Sequence, residues 1–318
     1  MKKILLTSLK ITFVFILIFF SSQYCIAQNC FLTPSDTLKK SRVLTVAGSW
    51  GGIYGTTLVG LNALWYKNYS RSSFHFFNDN GEWNQIDKVG HCYTAYIESQ
   101  WSTKAFQWAG MKNNKAAILG GLTGFTLQTT IEILDGFSKE WGFSVGDISA
   151  NTLGSAINVS QNLLWNEQRI RMKFSSHPVK YDEDVKTRAN DLYGTSVPEL
   201  VMKDYNGQTY WLSVNPSMFI RKENKFPKWL NFAVGYGADG MFGGFENKWT
   251  DENGNELTRT DIKRTRQFYI TPDISFSRIK TNSHFLKTIF ELADVIKFPA
   301  PAMEYNSSHQ MKWHWVYF

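Results

Sequence analysis

The sequence predicts an α+β protein: an apolar four-helix bundle followed by a β-rich C-terminal region. Three observations carry that expectation. Between residues 43 and 165, apolar stretches of helical length recur with short polar connections, which makes an antiparallel bundle the natural arrangement. Beyond Ser175 the pattern shifts to short runs that alternate apolar, aromatic and small residues, as strands do. Aromatics make up 16% of the 318 residues and charged residues only 19%, the balance of a membrane-associated or interface-rich protein rather than a cytosolic enzyme.

In chain order, Met1-Lys2-Lys3, the apolar run Ile11 to Phe20 and the small residues of Cys25-Ile26-Ala27 read as a signal peptide over residues 1–27, cleaved after Ala27. An uncleaved anchor helix is the alternative. Neither Cys25 nor Cys30 sits in a lipoprotein signal pattern. Once the leader is removed, Cys30 and Cys92 remain, either as one disulfide or as two thiols. The formal charge of +7 suits anionic lipid, lipopolysaccharide or nucleic acid, and export argues against nucleic acid. The expected location is the periplasm or a membrane of the envelope, the outer membrane included, with the membrane or other envelope components as partners. Oligomeric state is not legible.

Residues 28–42 form a polar lead-in, 43–175 the helical region and 176–318 the β-rich region. Val43 to Tyr66 runs without a charge and is long enough to cross a bilayer. Its pairs Gly48/Gly52 and Gly51/Gly55 predict tight packing against other helices. Further helices are expected over about Asn84 to Gly110, Ala116 to Phe137, with the close-packing pair Gly120/Gly124, and Ser144 to Trp165. After a polar loop over His177 to Thr195, strands are expected at Tyr210 to Val214, Leu230 to Tyr236, Phe268 to Ile270 and Ile274 to Ile279, then a short helix from Phe285 to Ile296. The closing Trp313-His314-Trp315-Val316-Tyr317-Phe318 resembles the last strand of an outer-membrane barrel. Some six strands are too few to close one.

A polar constellation runs through the helical region. Asp87 and His91 are four apart on one helix face, with Lys88 beside them and Glu98 two turns on. Gln128, Glu132 and Asp135 form a second stripe, and Asp147, Asn151, Gly154 and Asn158 a third. Burying such groups is costly unless they pair, bind something or line a wet cavity. Asp87, His91, Glu132, Asp135 and Asp147 are competent to hold a divalent metal. His91 with Asp87 and Glu132 suits acid–base catalysis. A purely structural account also stands. Ser144 to Asp147 has the form of a capping box, Asn84 and Asp87 suit the start of the second helix, and Lys88 would neutralise Glu132 or Asp135 across the bundle.

Asp87-Lys88-x-x-His91, Glu132-x-x-Asp135, Gly142-x-Ser144-x-x-Asp147 and Gly154 resemble the YfiM-type family of predicted periplasmic lipoproteins, a domain of unknown function. More distantly, Asp-Lys-x-x-His with Asp147, Asn151 and Gly154 is similar to VanZ-like membrane proteins, which are associated with glycopeptide resistance. The resemblance covers roughly residues 75 to 170 and implies an envelope location and a helical core, with no established activity. Lys203-Asp204-Tyr205-Asn206-Gly207 looks like an extended form of the same family. The resulting expectation is an exported, membrane-associated envelope protein in a structural or binding role. The alternative is an envelope hydrolase or transferase acting on lipid or peptidoglycan precursors, which requires the polar side chains to share a cavity.

Overall fold

The computed structural model describes residues 31–64, 70–220, 225–251 and 254–318. The expected signal peptide and Cys25 and Cys30 lie outside them. The long apolar stretches become helices α1 (Lys40–Leu64), α2 (Ile86–Trp108), α3 (Asn113–Asp135) and α4 (Val145–Trp165). Two shorter helices follow, α5 (Glu183–Tyr193) and α6 (Val197–Lys203), then the late helix α7 (His284–Ala293). Helices therefore gather in the N-terminal half and strands in the C-terminal half, an α+β arrangement as the sequence predicts.

Three of the long helices pack closely, and small residues are the reason. A Cβ added at Gly154 of α4 would stand 2.0 Å from the Cys92 carbonyl oxygen of α2. One at Gly124 of α3 would meet Ala95 O at 2.6 Å, and one at Gly120 would meet Thr103 N at 2.6 Å. The backbones thus touch where side chains would otherwise hold them apart. The glycines of α1 behave differently: Gly48, Gly51, Gly52, Gly55 and Gly60 have nothing within 4 Å of an added Cβ. The expected tight packing of that segment is overturned. α1 is attached by a few anchors, Tyr54 Oη donating to Leu127 O at 3.0 Å and Arg42 Nη1 to Trp108 O at 2.8 Å. Among the described residues one helix, α3, is long and apolar enough to cross a membrane.

Strands β1 (Ile170–Ser176), β2 (Gln208–Val214), β3 (Leu230–Asp239), β6 (Thr265–Ile274), β7 (Ala300–Asn306) and β8 (Met311–Tyr317) form one antiparallel sheet in the order β1-β2-β3-β6-β7-β8. β4 (Lys248–Thr250) and β5 (Glu256–Thr258) pair separately. Several boundaries differ from expectation. The two runs around Phe268 and Ile274 are one strand ending in a 3-10 turn at Phe276–Arg278. β1 and β7 did not stand out in the sequence. The polar stretch after His177 contains α5, whose Val185, Ala189 and Tyr193 face inward.

α2 is the shared element. Its Cys92, Tyr96 and Ile97 pack on Met172 of β1 and on Val295, while Ile86 packs with Tyr210, Ala238 and Met241 of the sheet region. Behind them the inner face of the sheet carries charge. Lys173 Nζ lies 2.8 Å from Asp273 and 2.9 Å from Asp294, and Arg171 Nη1 lies 3.2 Å from Glu291 and 3.4 Å from Asp294. With Lys297 near Asp273 at 3.7 Å, three cations meet three carboxylates. Pairing is what makes such burial tolerable.

A cavity ringed by carboxylates

The site grows from the start of α2. Gly81 is followed by a turn in which Trp83, Asn84 and Gln85 all adopt positive φ (49°, 50° and 63°), a conformation that costs L-residues about 1–2 kcal/mol each. The turn is held from the sheet side. Trp83 N donates to Gly244 O, and the Asn84 carbonyl accepts from Arg266 Nη1 and Tyr236 Oη. Neither Asn84 nor Asp87 caps the helix, contrary to expectation; the N-cap residue is Gln85, without a side-chain cap. Asp87 and His91 are thereby free to face inward.

Lys88 does not cross to Glu132 or Asp135 as expected. Its ammonium lies 2.7 Å from Asp79, 3.2 Å from Asp87 and 2.8 Å from Asp147. Ser144 is the N-cap of α4, accepting from Asp147 N at 3.0 Å, and its hydroxyl donates to Asp79 at 2.6 Å. The capping reading of Ser144 is therefore right, and Asp147 serves the site as well. His91 sits among carboxylates: Nδ1 is 3.5 Å from Glu132, and Nε2 is 3.9 Å from both Asp87 and Asp147. Tyr205 Oη donates to Asp87 at 2.8 Å. Asn151 is fully buried, and its side-chain amide has no hydrogen-bond partner among the described atoms. Gly154 holds α4 against α2 and takes no part in the polar set.

These groups open into a cavity of about 470 Å³. Asp87, His91, Glu98, Gln128, Glu132, Asp135 and Asp147 line it, with Asp79 and Glu82 at one side. Its remaining wall is apolar and aromatic, from Trp50, Ile53 and Tyr54 of α1, Leu127 and Ile131 of α3, and Trp141. The first two stripes therefore converge on it, and the third does so through Asp147. Asn158, by contrast, donates to Thr103 Oγ1 at 3.0 Å and is not among the cavity residues. Asp79, Glu82, Tyr205 and the α1 aromatics are site residues that sequence reasoning did not single out. Asp79 sat in a run that reads as a turn, and Tyr205 reaches Asp87 across 118 positions of chain.

The protonation landscape follows from burial and charge. Burial pushes Glu132 up to about 8, Glu98 up to about 7 and Asp147 up to about 6. It also works against the His91 imidazolium, but Asp87, Asp147 and Glu132 outweigh it and hold the ring up at about 8. For Asp87, burial is outweighed by His91, Lys88 and the Tyr205 hydroxyl, so its carboxyl lies below the usual range. Groups of opposite type poised around neutrality are the material of proton transfer.

A stability prediction follows. Glu132 and His91 both have folded values above their ordinary 4.5 and 6.5. The stability they confer is present below those ordinary values and is lost as pH rises through about 8. The denaturation midpoint should fall between pH 6 and pH 9, and Glu132→Gln should flatten that slope while raising stability at pH 9. An unchanged slope in the variant would show that Glu132 is already ionised at pH 6.

Asp87, His91 and Asp147 place their ligand atoms within 4.8 Å of one another, a donor set suited to a divalent cation. A cation held there would share both aspartates with the Lys88 ammonium, which already touches them. The arrangement thus defines a buried acid–base cluster at the floor of a half-apolar cavity. Residues 75–163 match the family model described as a predicted periplasmic lipoprotein (DUF2279). That stretch carries the Asp-Lys-x-x-His, Glu132 and Asp147 motifs and is what the chain has in common with this family, whose description fits an exported protein of the cell envelope. No curated protein and no solved structure matches the chain.

Proposed function

We propose that the chain is a membrane-associated envelope hydrolase or transferase that uses His91 as its acid–base residue on an amphipathic substrate. The observation that carries this reading is the shared cavity. Polar side chains from three helices face one space whose other walls are apolar, instead of being satisfied pairwise in a closed core. Charge narrows the substrate. Near neutral pH, with Glu132 mostly protonated, Asp79, Asp87 and Asp147 still outnumber the Lys88 ammonium and the His91 imidazolium, so an anionic phosphate would be repelled from the floor. An ester or amide bond, uncharged and hydrogen-bonding, suits it. In hydrolysis a water oxygen adds to the carbonyl carbon while the neutral form of His91, the major one above about pH 8, takes its proton, then returns it to the departing alkoxide or amine. Glu132 at Nδ1 and the aspartates at Nε2 orient the ring.

The test separates this from a structural network. His91→Ala leaves Asp87 still bonded to Tyr205 and Lys88, so the expected stability change is about 1 kcal/mol. Hydrolysis of p-nitrophenyl acyl esters of graded chain length, or turnover in an envelope lipid extract followed by mass spectrometry, should be lost in that variant. If His91→Ala unfolds the protein and the parent hydrolyses no ester or amide, the structural role stands instead. The Asp87, His91 and Asp147 donor set favours a second reading, a metal-assisted site. Stoichiometric zinc, magnesium or calcium in the purified protein would install it.

A further inference from the structure

The outer face of the six-stranded sheet, which α2 covers only at Met172, Phe174 and Tyr210 of β1 and β2, has beyond that point the polarity of an inside-out surface. Register places Leu212 opposite Val234, Val234 opposite Ile270, Ile270 opposite Met303, and Met303 opposite Trp313. This row crosses five strands, and each of its side chains is between 38% and 56% exposed. A second row runs from Phe268 through Tyr305 to Met311, also exposed. The intervening, inward positions are Ser213, Thr271, Asp273, Glu304 and Asn306, all buried. A sheet with one face in water shows the reverse alternation, so something apolar covers these rows.

A neighbouring feature says what. The end of the sheet where Leu230 pairs with Ile274 carries the exposed aromatics Phe219 and Trp229 and the exposed bases Lys228 and Lys280. From Ile274 to Phe290 there is Arg278, Lys280 and Lys287 and no acid. Aromatic and basic residues bordering an apolar band mark the headgroup level of a bilayer with anionic lipid. A second copy of this +7 chain would bring more positive charge to that rim.

We infer that the part of the sheet's outer face that α2 leaves open, out to β8, is seated against the acyl region of an anionic lipid bilayer. Among the described residues β8 pairs with β7 alone and ends the sheet with an open edge, and free backbone groups are not tolerated in hydrocarbon. The sheet is therefore laid on the bilayer by its face, with that edge among headgroups or water, and is not threaded through it. This goes beyond the proposed chemistry and does not depend on it.

The test uses the purified full chain and vesicles of phosphatidylethanolamine and phosphatidylglycerol at 3:1, read by co-flotation. The discriminating variant is Val234→Glu with Ile270→Lys, which puts an opposite-charge pair on exposed cross-strand neighbours and so keeps the sheet intact. Circular dichroism and the melting point, unchanged, verify that. Binding to the vesicles is expected in the parent, weakened at least tenfold in the variant, and weaker on purely zwitterionic vesicles. Parent protein that stays with the unbound fraction overturns the inference. So does a variant that binds like the parent, or one whose only change is from dimer to monomer on sizing, since the face would then be a protein interface.

Discussion

Lys88→Met is expected to lower the unfolding free energy by about 3–5 kcal/mol, the cost of removing one partner from a buried charge set. The ammonium is the shared counter-ion of Asp79, Asp87 and Asp147 at 2.7, 3.2 and 2.8 Å. Without it, three carboxylates from the loop before α2, from α2 and from α4 repel one another across a partly desolvated space. The measurement is chemical denaturation at pH 7. Lys88→Met combined with Asp147→Asn should recover part of the loss, because the double change removes one of the stranded charges. A loss below 1 kcal/mol would mean that solvent reaches the cluster well enough to carry its charge. Lys88→Arg should fall between the parent and methionine, since a planar guanidinium fits three converging oxygens less well than a compact ammonium.

The second large effect is expected at Gly154. Valine there would drive its Cβ into the Cys92 carbonyl, 2.0 Å away, with the Cys92 carbonyl carbon at 2.9 Å and the Tyr96 amide nitrogen at 3.0 Å. These are backbone atoms and have no rotamer to escape into, so α4 must move off α2. Overpacking of this kind costs about 1–3 kcal/mol, with valine at the upper end. The effect should also reach the site, because Asp147 lies on the same helix, two turns before Gly154. Alanine regains up to about 1 kcal/mol of helix propensity and should be milder. A valine variant that melts like the parent would mean that α2 and α4 are not in backbone contact.

Several elements were legible because their cause is local. The Ser144 cap and the spacing of Asp87, Lys88 and His91 follow from the 3.6-residue period, and so did the presence of α2, α3 and α4. The strands with alternating aromatics were found for the same kind of reason. β1 escaped notice because its buried positions include Arg171, Lys173 and Ser175. Polar residues in a strand suggest exposure until their partners, Glu291, Asp273 and Asp294, are seen opposite them. The glycine pairs of α1 misled because small-residue spacing reports only what a helix permits. Whether a neighbour accepts the invitation depends on the rest of the fold.

At the site the division is similar. The motif residues His91, Asp87, Glu132 and Asp147 were visible as helical stripes with no apolar reason to be there, and they do meet. Lys88 was visible too, but its partners were misassigned, since a flexible four-carbon side chain can reach along its own helix end as readily as across to another. Asp79 and Tyr205 offered no periodic signal, because one lies in a turn and the other in a loop brought in by the sheet.

By itself, then, the amino-acid order determined an α+β chain with ionisable groups spaced to share helix faces in apolar surroundings. Those are properties of neighbours within a few residues. Only the tertiary structure decided that the faces open on a cavity walled by α1, that Lys88 ties Asp79 to Asp147, and that the sheet turns its apolar side outward. Each of these depends on contacts between distant segments, whose geometry is set by how close the glycine-lined backbones come and by which charges find partners when water is removed.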